Sequence, residues 1–498
     1  MMSKRLRYSF WIWVAVAEFI LSGPLRGEDA TGDVGAFRQS LVYIEASEHS
    51  YEAYRPWRQS ALVQNKFYGC AVGPYEVLTT AYGVTDAAFI NVRRTGQNES
   101  ITATLKFVDY ESNLCLLALD RESMSDPLEP VRFSEDYEEG VEVEFYWLSQ
   151  SGQVHSGRGY TDHARVTQSV LSFGRFLNYI ISNTSVSTST GQLYCRGEKA
   201  IGLACWSKEN NNSGLIPGVV INRFLADASD GQYEGFAHVG FATSELLDPV
   251  LRQYLKLPTD LKEGVYVKDV YTIGTGSQEL KPQDVILAID GAVLDSHGWF
   301  AHPRYMQIHY DHLITNKAVG ESIQFKIWRS GKEIDLEVTA RNFSASDMAV
   351  PYHEYGKQPE YLITGGFLFQ KLTRAYMQSW GDDWRARVSP QLYRYYQELA
   401  FKPSDERRDI VILSYVLPAQ INQGYQQLRQ RVIRRFNGQE VRSLKDFTAA
   451  QKANPESLFD VIEFENDNPV VVIERSKLLT ADAMIAQTYG IGELVHID

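Results

Sequence analysis

From residue 42 to about 226, apolar side chains recur at every second position in short runs ended by turn-forming clusters, and a 3.6-residue period is almost absent. Ile101-Thr-Ala-Thr-Leu-Lys-Phe-Val108 and Val141-Glu-Val-Glu-Phe145 show the alternation that sets one face inward and one outward. Gly69-Cys-Ala-Val-Gly73, Val77-Leu-Thr-Thr-Ala-Tyr82 and Leu114-Cys-Leu-Leu-Ala-Leu119 are more continuously apolar and read as buried strands. So many short strands in one stretch predict a barrel or a sandwich. The chain has 498 residues, enough for several cores, about three at roughly 150 residues each.

A different rhythm begins near residue 231. A short strand around Val239-Gly240-Phe241 is followed by a helix around 246–255 and by the strands Gly264-Val-Tyr-Val267 and Asp284-Val-Ile-Leu-Ala-Ile-Asp-Gly291. Next come a helical stretch with Met306, Tyr310 and Leu313 on one face and a hairpin, Ile323-Gln-Phe-Lys-Ile327 to Ile334-Asp-Leu-Glu-Val338, turning at Ser330-Gly331. This is a small α+β unit. After a proline-containing connector the same order returns in Gly366-Phe-Leu-Phe369, Ile410-Val-Ile-Leu-Ser414, Val432-Ile-Arg-Arg-Phe-Asn-Gly438, a helix from Leu444 and Phe447, and the hairpin of Val461-Ile-Glu-Phe464 with Val470-Val-Val-Ile473. A Tyr- and Arg-rich helical insertion, about 375–407, interrupts this second copy.

Hydrophobic residues make up 44% of the chain and charged ones 22%, so apolar surface suffices for folding throughout. The net charge of −13, with no basic tract after residue 10, argues against nucleic acid as a partner. Lys4, Arg5 and Arg7 ahead of Phe10-Trp-Ile-Trp-Val-Ala-Val-Ala17 predict an export signal over 1–27, and no later segment is apolar over the roughly 20 residues of a membrane span. A periplasmic or secreted protein is expected. There Cys70, Cys115, Cys195 and Cys205 either pair or stay as buried thiols; with no CxxC spacing, neither zinc nor another cofactor is expected.

A β-rich region followed by two such units, over nearly the whole mature chain, resembles the HtrA/Do (Deg) serine proteases. Gly365-Gly-Phe-Leu-Phe369, Asn422-Gln-Gly-Tyr425, Phe436-Asn-Gly438 and Glu463-Phe-Glu465 are most similar to the plant and bacterial Deg branch with a modified second PDZ domain. The resemblance implies a mainly β fold: a trypsin-like double β-barrel over 34–227, a first PDZ domain over 231–343, a linker over 344–359, a second PDZ domain over 360–480 and a C-terminal tail over 481–498. The family's histidine segment reads Thr79-Thr80-Ala81-Tyr82 here, its aspartate segment Asn113-Leu114-Cys115-Leu116-Leu117, and its G-N-S-G-G-P-L loop Ser187-Thr188-Ser189-Thr190-Gly191-Gln192-Leu193. Of the three catalytic side chains only Ser189 is retained.

These departures bear directly on catalysis. A phenol ionises near pH 10, so Tyr82 cannot act as the general base for Ser189 near neutrality. Asn113 is neutral and could not stabilise an imidazolium; in the serine-protease template that Asp→Asn change alone lowers kcat about 10⁴-fold. Ser187 replaces the glycine whose amide helps form the oxyanion hole. His49, His155 and His163, the histidines of the barrel region, read as surface residues, and Asp109 as a turn residue. An inactive relative is therefore expected, binding polypeptide segments or C-termini as a scaffold, a chaperone-like holder or a regulator of active homologues. The rivals are an endopeptidase with a non-standard site and a self-assembling structural protein.

For peptide binding, the resemblance points to Ala237, His238, Val239, Gly240 and Phe241, matching a loop whose backbone amides receive a peptide carboxylate. Thr364, Gly365, Gly366 and Phe367 are the counterpart in the second unit, for peptide capture or for assembly. Tyr51, Tyr54 and Trp57 resemble a region that packs between protomers in the family's trimers, so a trimer-based homo-oligomer is a further expectation.

Overall fold

The structure, a computed structural model, describes residues 36–497 apart from 98, 185–188, 208–210, 454 and 466–469. The predicted export signal therefore lies outside the described residues. The alternating region forms two closed six-stranded barrels. The first takes β1 (Leu41–Glu48), β2 (Val63–Gly73), β3 (Glu76–Thr79), β4 (Ala87–Arg94), β5 (Ser100–Asp109) and β6 (Leu114–Leu119), closing in the order β1-β2-β3-β6-β5-β4. The second takes β7 (Glu142–Leu148), β8 (Val154–Gln168), β9 (Arg175–Asn183), β10 (Leu193–Arg196), β11 (Lys199–Ser207) and β12 (Asn212–Pro217), in the order β10-β11-β12-β9-β8-β7. Closure leaves neither barrel an unpaired edge. Cys70, Cys115, Cys195 and Cys205 are free and buried in this core, and burial pushes the Cys205 thiol up to about 12.

Helix α1 (Gly218–Asp227) leads out of the barrels into the first α+β unit. That unit contains β13 (Phe241–Ser244), α2 (Pro249–Tyr254), β14 (Val265–Val270), β15 (Val285–Ile289), β16 (Ala292–Val293), β17 (Trp299–His302), β18 (Met306–His309), α3 (Asp311–Thr315), β19 (Ser322–Arg329) and β20 (Lys332–Thr339). Its sheet runs β13-β14-β15-β19-β20, so β13 lies at an edge. Here the sequence expectation fails in part: Met306 lies in a strand, paired with His302, and the helix is reduced to five residues. Tyr305 of the β17–β18 turn explains why a hairpin is preferred, since its ring packs between Tyr179 and Tyr137 of the second barrel, 5.9 and 5.3 Å away.

The second unit begins with β21 (Tyr361–Thr364) and β22 (Phe367–Lys371), followed by the insertion helices α4 (Arg374–Gln378), α5 (Trp384–Arg387) and α6 (Pro390–Leu399). It continues through β23 (Val411–Val416), β24 (Arg431–Phe436), β25 (Gln439–Glu440), α7 (Leu444–Ala453), β26 (Phe459–Phe464), β27 (Val471–Glu474), α8 (Arg475–Tyr489) and β28 (Val495–His496). The two copies share their turn chemistry. Asp290-Gly291 and Asn437-Gly438 both take positive φ at both residues, 46° and 78° in the first and 50° and 78° in the second, as a two-residue primed hairpin turn requires. Residues 481–498, expected as a tail, instead supply most of α8 and the strand β28, which pairs with β21.

Further aromatic contacts tie the units to the barrels. Phe173, in the β8–β9 connection, stacks on Phe343 of the first unit at 4.6 Å and meets Phe401 of the insertion at 5.7 Å. The loop carrying Tyr51, Tyr54 and Trp57 lies against the second unit of the same chain: Tyr54 packs 5.8 Å from Trp380 and 5.7 Å from Tyr415, and Trp57 6.3 Å from Tyr361. Tyr54 and Trp57 thus pack within one chain.

The β5–β6 turn holds a carboxyl pair. Asp109 accepts the Ser112 amide at 2.7 Å and the hydroxyl of Tyr233, while Glu111 accepts from the Ser172 hydroxyl at 3.1 Å. Burial first, and then Asp109, push the Glu111 carboxyl up. The native state therefore binds more protons here than the unfolded chain once pH exceeds the ordinary carboxylate value of about 4.3, and stability falls as pH rises from there. Glu111→Gln is expected to melt higher than the parent at pH 8, with the gap closing towards pH 5 in thermal unfolding followed by circular dichroism. In the second core Phe447 packs 4.1 Å from Phe436 and 4.6 Å from Phe369; Phe447→Ala is expected to destabilise this unit by about 3–5 kcal/mol in denaturant titration.

Candidate functional site

Thr79 ends β3, and residues 81–84 then make a single 3₁₀ turn that leaves the Tyr82 side chain exposed. Asn113 stands beside this turn, just ahead of β6, the strand that pairs with β3. Its Oδ1 accepts the Tyr82 amide at 2.8 Å and its carbonyl accepts the Ala81 amide at 3.2 Å, so Asn113 holds the backbone that bears Tyr82. Asn113 has φ of 61°, a left-handed conformation that asparagine tolerates better than most residues.

The Ser189 loop reaches the same place from the second barrel. Tyr68 donates its amide to the Thr190 carbonyl at 3.2 Å, and the Thr79 hydroxyl donates to the Tyr68 carbonyl at 2.7 Å. Gly191 has φ of 83°, and a Cβ there would stand 1.8 Å from the Tyr68 carbonyl oxygen, so only glycine admits this approach. Ser189 is exposed, and its amide donates to Gln192 Oε1 at 2.8 Å, an acceptor from a side chain that is itself buried. In a working serine hydrolase the nucleophile's amide faces the developing oxyanion. Here it already has an acceptor. Ser187, the expected partner amide, lies outside the described residues. Of the barrel histidines, His155 stacks on Trp147 at 5.5 Å and His163 lies 3.3 Å from Asp162, while His49 is half-buried and donates its amide to the Asp86 carbonyl.

The structure sets residues 237–241 at the edge of the first unit's sheet. His238 donates its amide to the Arg341 carbonyl at 3.0 Å and Gly240 donates to Thr275 at 2.8 Å, so this loop is bonded to its own unit at alternate positions. A Cβ on Gly240 would lie 2.7 Å from the carbonyls of Ile273 and Thr275; the close approach that requires glycine is made by the chain itself. His238 is buried, which pushes its imidazole down to about 3, and Phe173 meets it edge-on at 5.0 Å. Val239, Phe241, Ala242 and Thr243 line a cavity of about 320 Å³, closed opposite by Arg175 of the barrel and Asp311 of α3, whose side chains pair at 3.0 Å. Ala237 is buried behind the loop.

In the second unit the counterpart loop is a tight two-residue turn. Thr364 pairs with Phe367 across it, and Gly365 and Gly366 have φ of 56° and 82°. Asp482 of α8 accepts the Gly365 amide at 2.6 Å, and Asn422 donates to the Gly365 carbonyl at 2.8 Å. The chain's own side chains engage this loop on both sides. Burial raises the Asp482 carboxyl to about 6, offset in part by the Gly365 hydrogen bond.

The sequence reading quotes Gln192 without a role, and Asp482 and the barrel wall around Phe173 and Arg175 are absent from it. Gln192 could have been found, because it stands where the resembled motif has proline.

A PDZ domain family model matches residues 350–495. Among relatives, Protease Do-like 2, chloroplastic, of Arabidopsis thaliana is 26% identical over 471 residues, covering 92% of this chain and 74% of its own length. Protease Do-like 4, mitochondrial, of the same plant is 25% identical over 445 residues, covering 88% and 81%. Among solved structures, the HtrA-type protease AlgW with decapeptide is 17% identical with a TM-score of 0.46, over 63% of this chain and 98% of that one. Among the described residues no helix is long and apolar enough to cross a membrane. With two closed six-stranded barrels in the trypsin-like manner and a PDZ domain behind them, the chain is similar over most of its length to the Do-like proteases.

Proposed function

We propose that this chain is a catalytically inactive Do-like protein that holds polypeptide segments. The observation that carries the reading is the Gln192 side chain bonded to the Ser189 amide at 2.8 Å, beside a tyrosine where a base would stand. Nucleophile activation and oxyanion stabilisation are then both unsupported, and the missing base alone leaves Ser189 a neutral hydroxyl. Polypeptide would add as a strand along the edge of β13 that borders the cavity, with residues 237–241 at its end, as PDZ domains bind extended peptides. In the second unit the loop at Thr364–Phe367 serves packing within the chain, since Asp482 and Asn422 engage it. The protein would act as a chaperone-like holder, or as a scaffold or regulator of active homologues, in an exported or organellar compartment, a setting consistent with the leader-like segment at 1–27 and with relatives named chloroplastic and mitochondrial.

A working endopeptidase keeps one observation in its favour, the exposure of Ser189. Fluorophosphonate and casein decide between the two. The expected result is no label and no cleavage; label lost in Ser189→Ala, with matching cleavage, would establish the protease instead. Restoring Tyr82→His and Asn113→Asp is expected to leave turnover at background while Ser187 and Gln192 remain. Adding Ser187→Gly and Gln192→Pro should raise it by about 10²–10³, the range for regaining an oxyanion donor. For holding, apolar C-terminal peptides are expected to bind with Kd in the micromolar range, about −8 kcal/mol at 1 µM, in calorimetry. No heat across a diverse set would leave self-assembly as the better account.

A further inference from the structure

The linker between the two PDZ-like units does more than join them. Residues 352–356 run across the front of the barrels beside the degenerate site. Gly356 donates its amide to Asp86 Oδ1, and His353 Nε2 lies 3.8 Å from Asp86 Oδ2; Asp86 follows the turn that bears Tyr82. The Tyr355 ring packs on Tyr110 at 4.4 Å, in the turn that carries Asn113, and its hydroxyl donates to the Leu171 carbonyl at 3.2 Å. Tyr352 accepts from Gln168 at 3.3 Å and stands 6.0 Å from Phe173. Tyr355 thus fills a slot with one wall from each barrel.

Three properties set this segment apart from a core element. It has no regular secondary structure, and its residues are half-buried or exposed. The hydrogen bonds above join it to the barrels through a few groups, the low-stability pattern of segments that open locally. Burial pushes the Tyr355 phenol up, which keeps it a donor to the Leu171 carbonyl.

We propose that residues 352–356 are a detachable strap over a polypeptide-binding slot between the barrels, and that an extended client takes their place with a tyrosine in the position of Tyr355. The strap itself indicates the client's chemistry: a ring to stack on Tyr110, a hydroxyl for the Leu171 carbonyl and a backbone N–H for Asp86. Tyrosine therefore fits better than phenylalanine, whose ring would leave that carbonyl without the hydroxyl. This deepens the polypeptide-holding reading and rests on it. The slot would be an acceptor separate from the edge of β13, coupled to it through Phe173 and Tyr352.

The test uses the full chain and fluorescein-labelled, reduced and carboxymethylated α-lactalbumin as an unfolded client. Tyr355→Ser should bind about tenfold more tightly than the parent, the gain for a slot otherwise open about a tenth of the time. Tyr110→Ala, which removes a wall, should weaken binding and cancel the gain in the double variant. A short tyrosine peptide should compete better than its phenylalanine analogue. Hydrogen exchange on the unaltered protein gives a readout independent of any variant: client should speed exchange at 352–356 while protecting 108–113. If the parent binds client but Tyr355→Ser binds no better and exchange at 352–356 is unchanged, the strap is wrong and the holder reading stands. If neither protein binds client, both readings fail.

Discussion

The stacking of Phe173 on Phe343 is the contact on which the arrangement of the chain depends. The ring comes from a connection of the second barrel, yet it meets His238 and Phe343 of the first unit, Tyr352 of the linker and Phe401 of the insertion. Aromatic pairs contribute about 0.5–1.5 kcal/mol each beyond their buried area. A cluster of five rings fixes orientation more firmly than one salt bridge at a surface would. The edge of β13, residues 352–356 and the end of the insertion all meet the barrels around this side chain. Because Phe173 is also one residue from Ser172, which donates to Glu111, the cluster adjoins the turn that presents Asn113.

Much of the fold was legible in the residues. Alternation in 101–108 and 141–145 marked the barrel strands β5 and β7, with Ile101, Ala103, Val143 and Phe145 buried, but it did not reveal the bulge between Leu105 and Phe107 that leaves Leu105 exposed. The repeat of the α+β unit was legible through its turns, since Asp-Gly and Asn-Gly at 290–291 and 437–438 demand positive φ whatever surrounds them. Met306 misled because a helical spacing across three residues cannot reveal that Tyr305 is anchored in the second barrel. Tyr54 and Trp57 pack on Trp380 and Tyr361 of the second unit, a contact within the chain that residue types alone do not disclose.

The site was legible in position and only partly in mechanism. Tyr82 and Asn113 do come together, but the bond between them is from side chain to backbone, which residue types alone do not disclose. Gln192 shows the same limit from another direction. Its buried amide folds back on the Ser189 N–H because Gly191 passes so close to Tyr68 that the loop is drawn inward. Replacing proline by glutamine both frees that backbone and supplies an acceptor for it. The Gln192 side chain thus gives the Ser189 amide an acceptor within its own loop.

The pairing of β28 with β21 bears on how the protein is made. The Tyr361 hydroxyl bonds the Glu493 carbonyl across 132 residues, and the strand at 495–496 completes an edge opened by Tyr361. During synthesis the barrels can close long before that edge has its neighbour, and the loop at 51–58 waits longer still for the surface it packs on. For that interval the nascent chain carries an open strand edge and an uncovered aromatic loop of its own. A protein whose proposed task is to hold incomplete chains passes through the condition of its own clients.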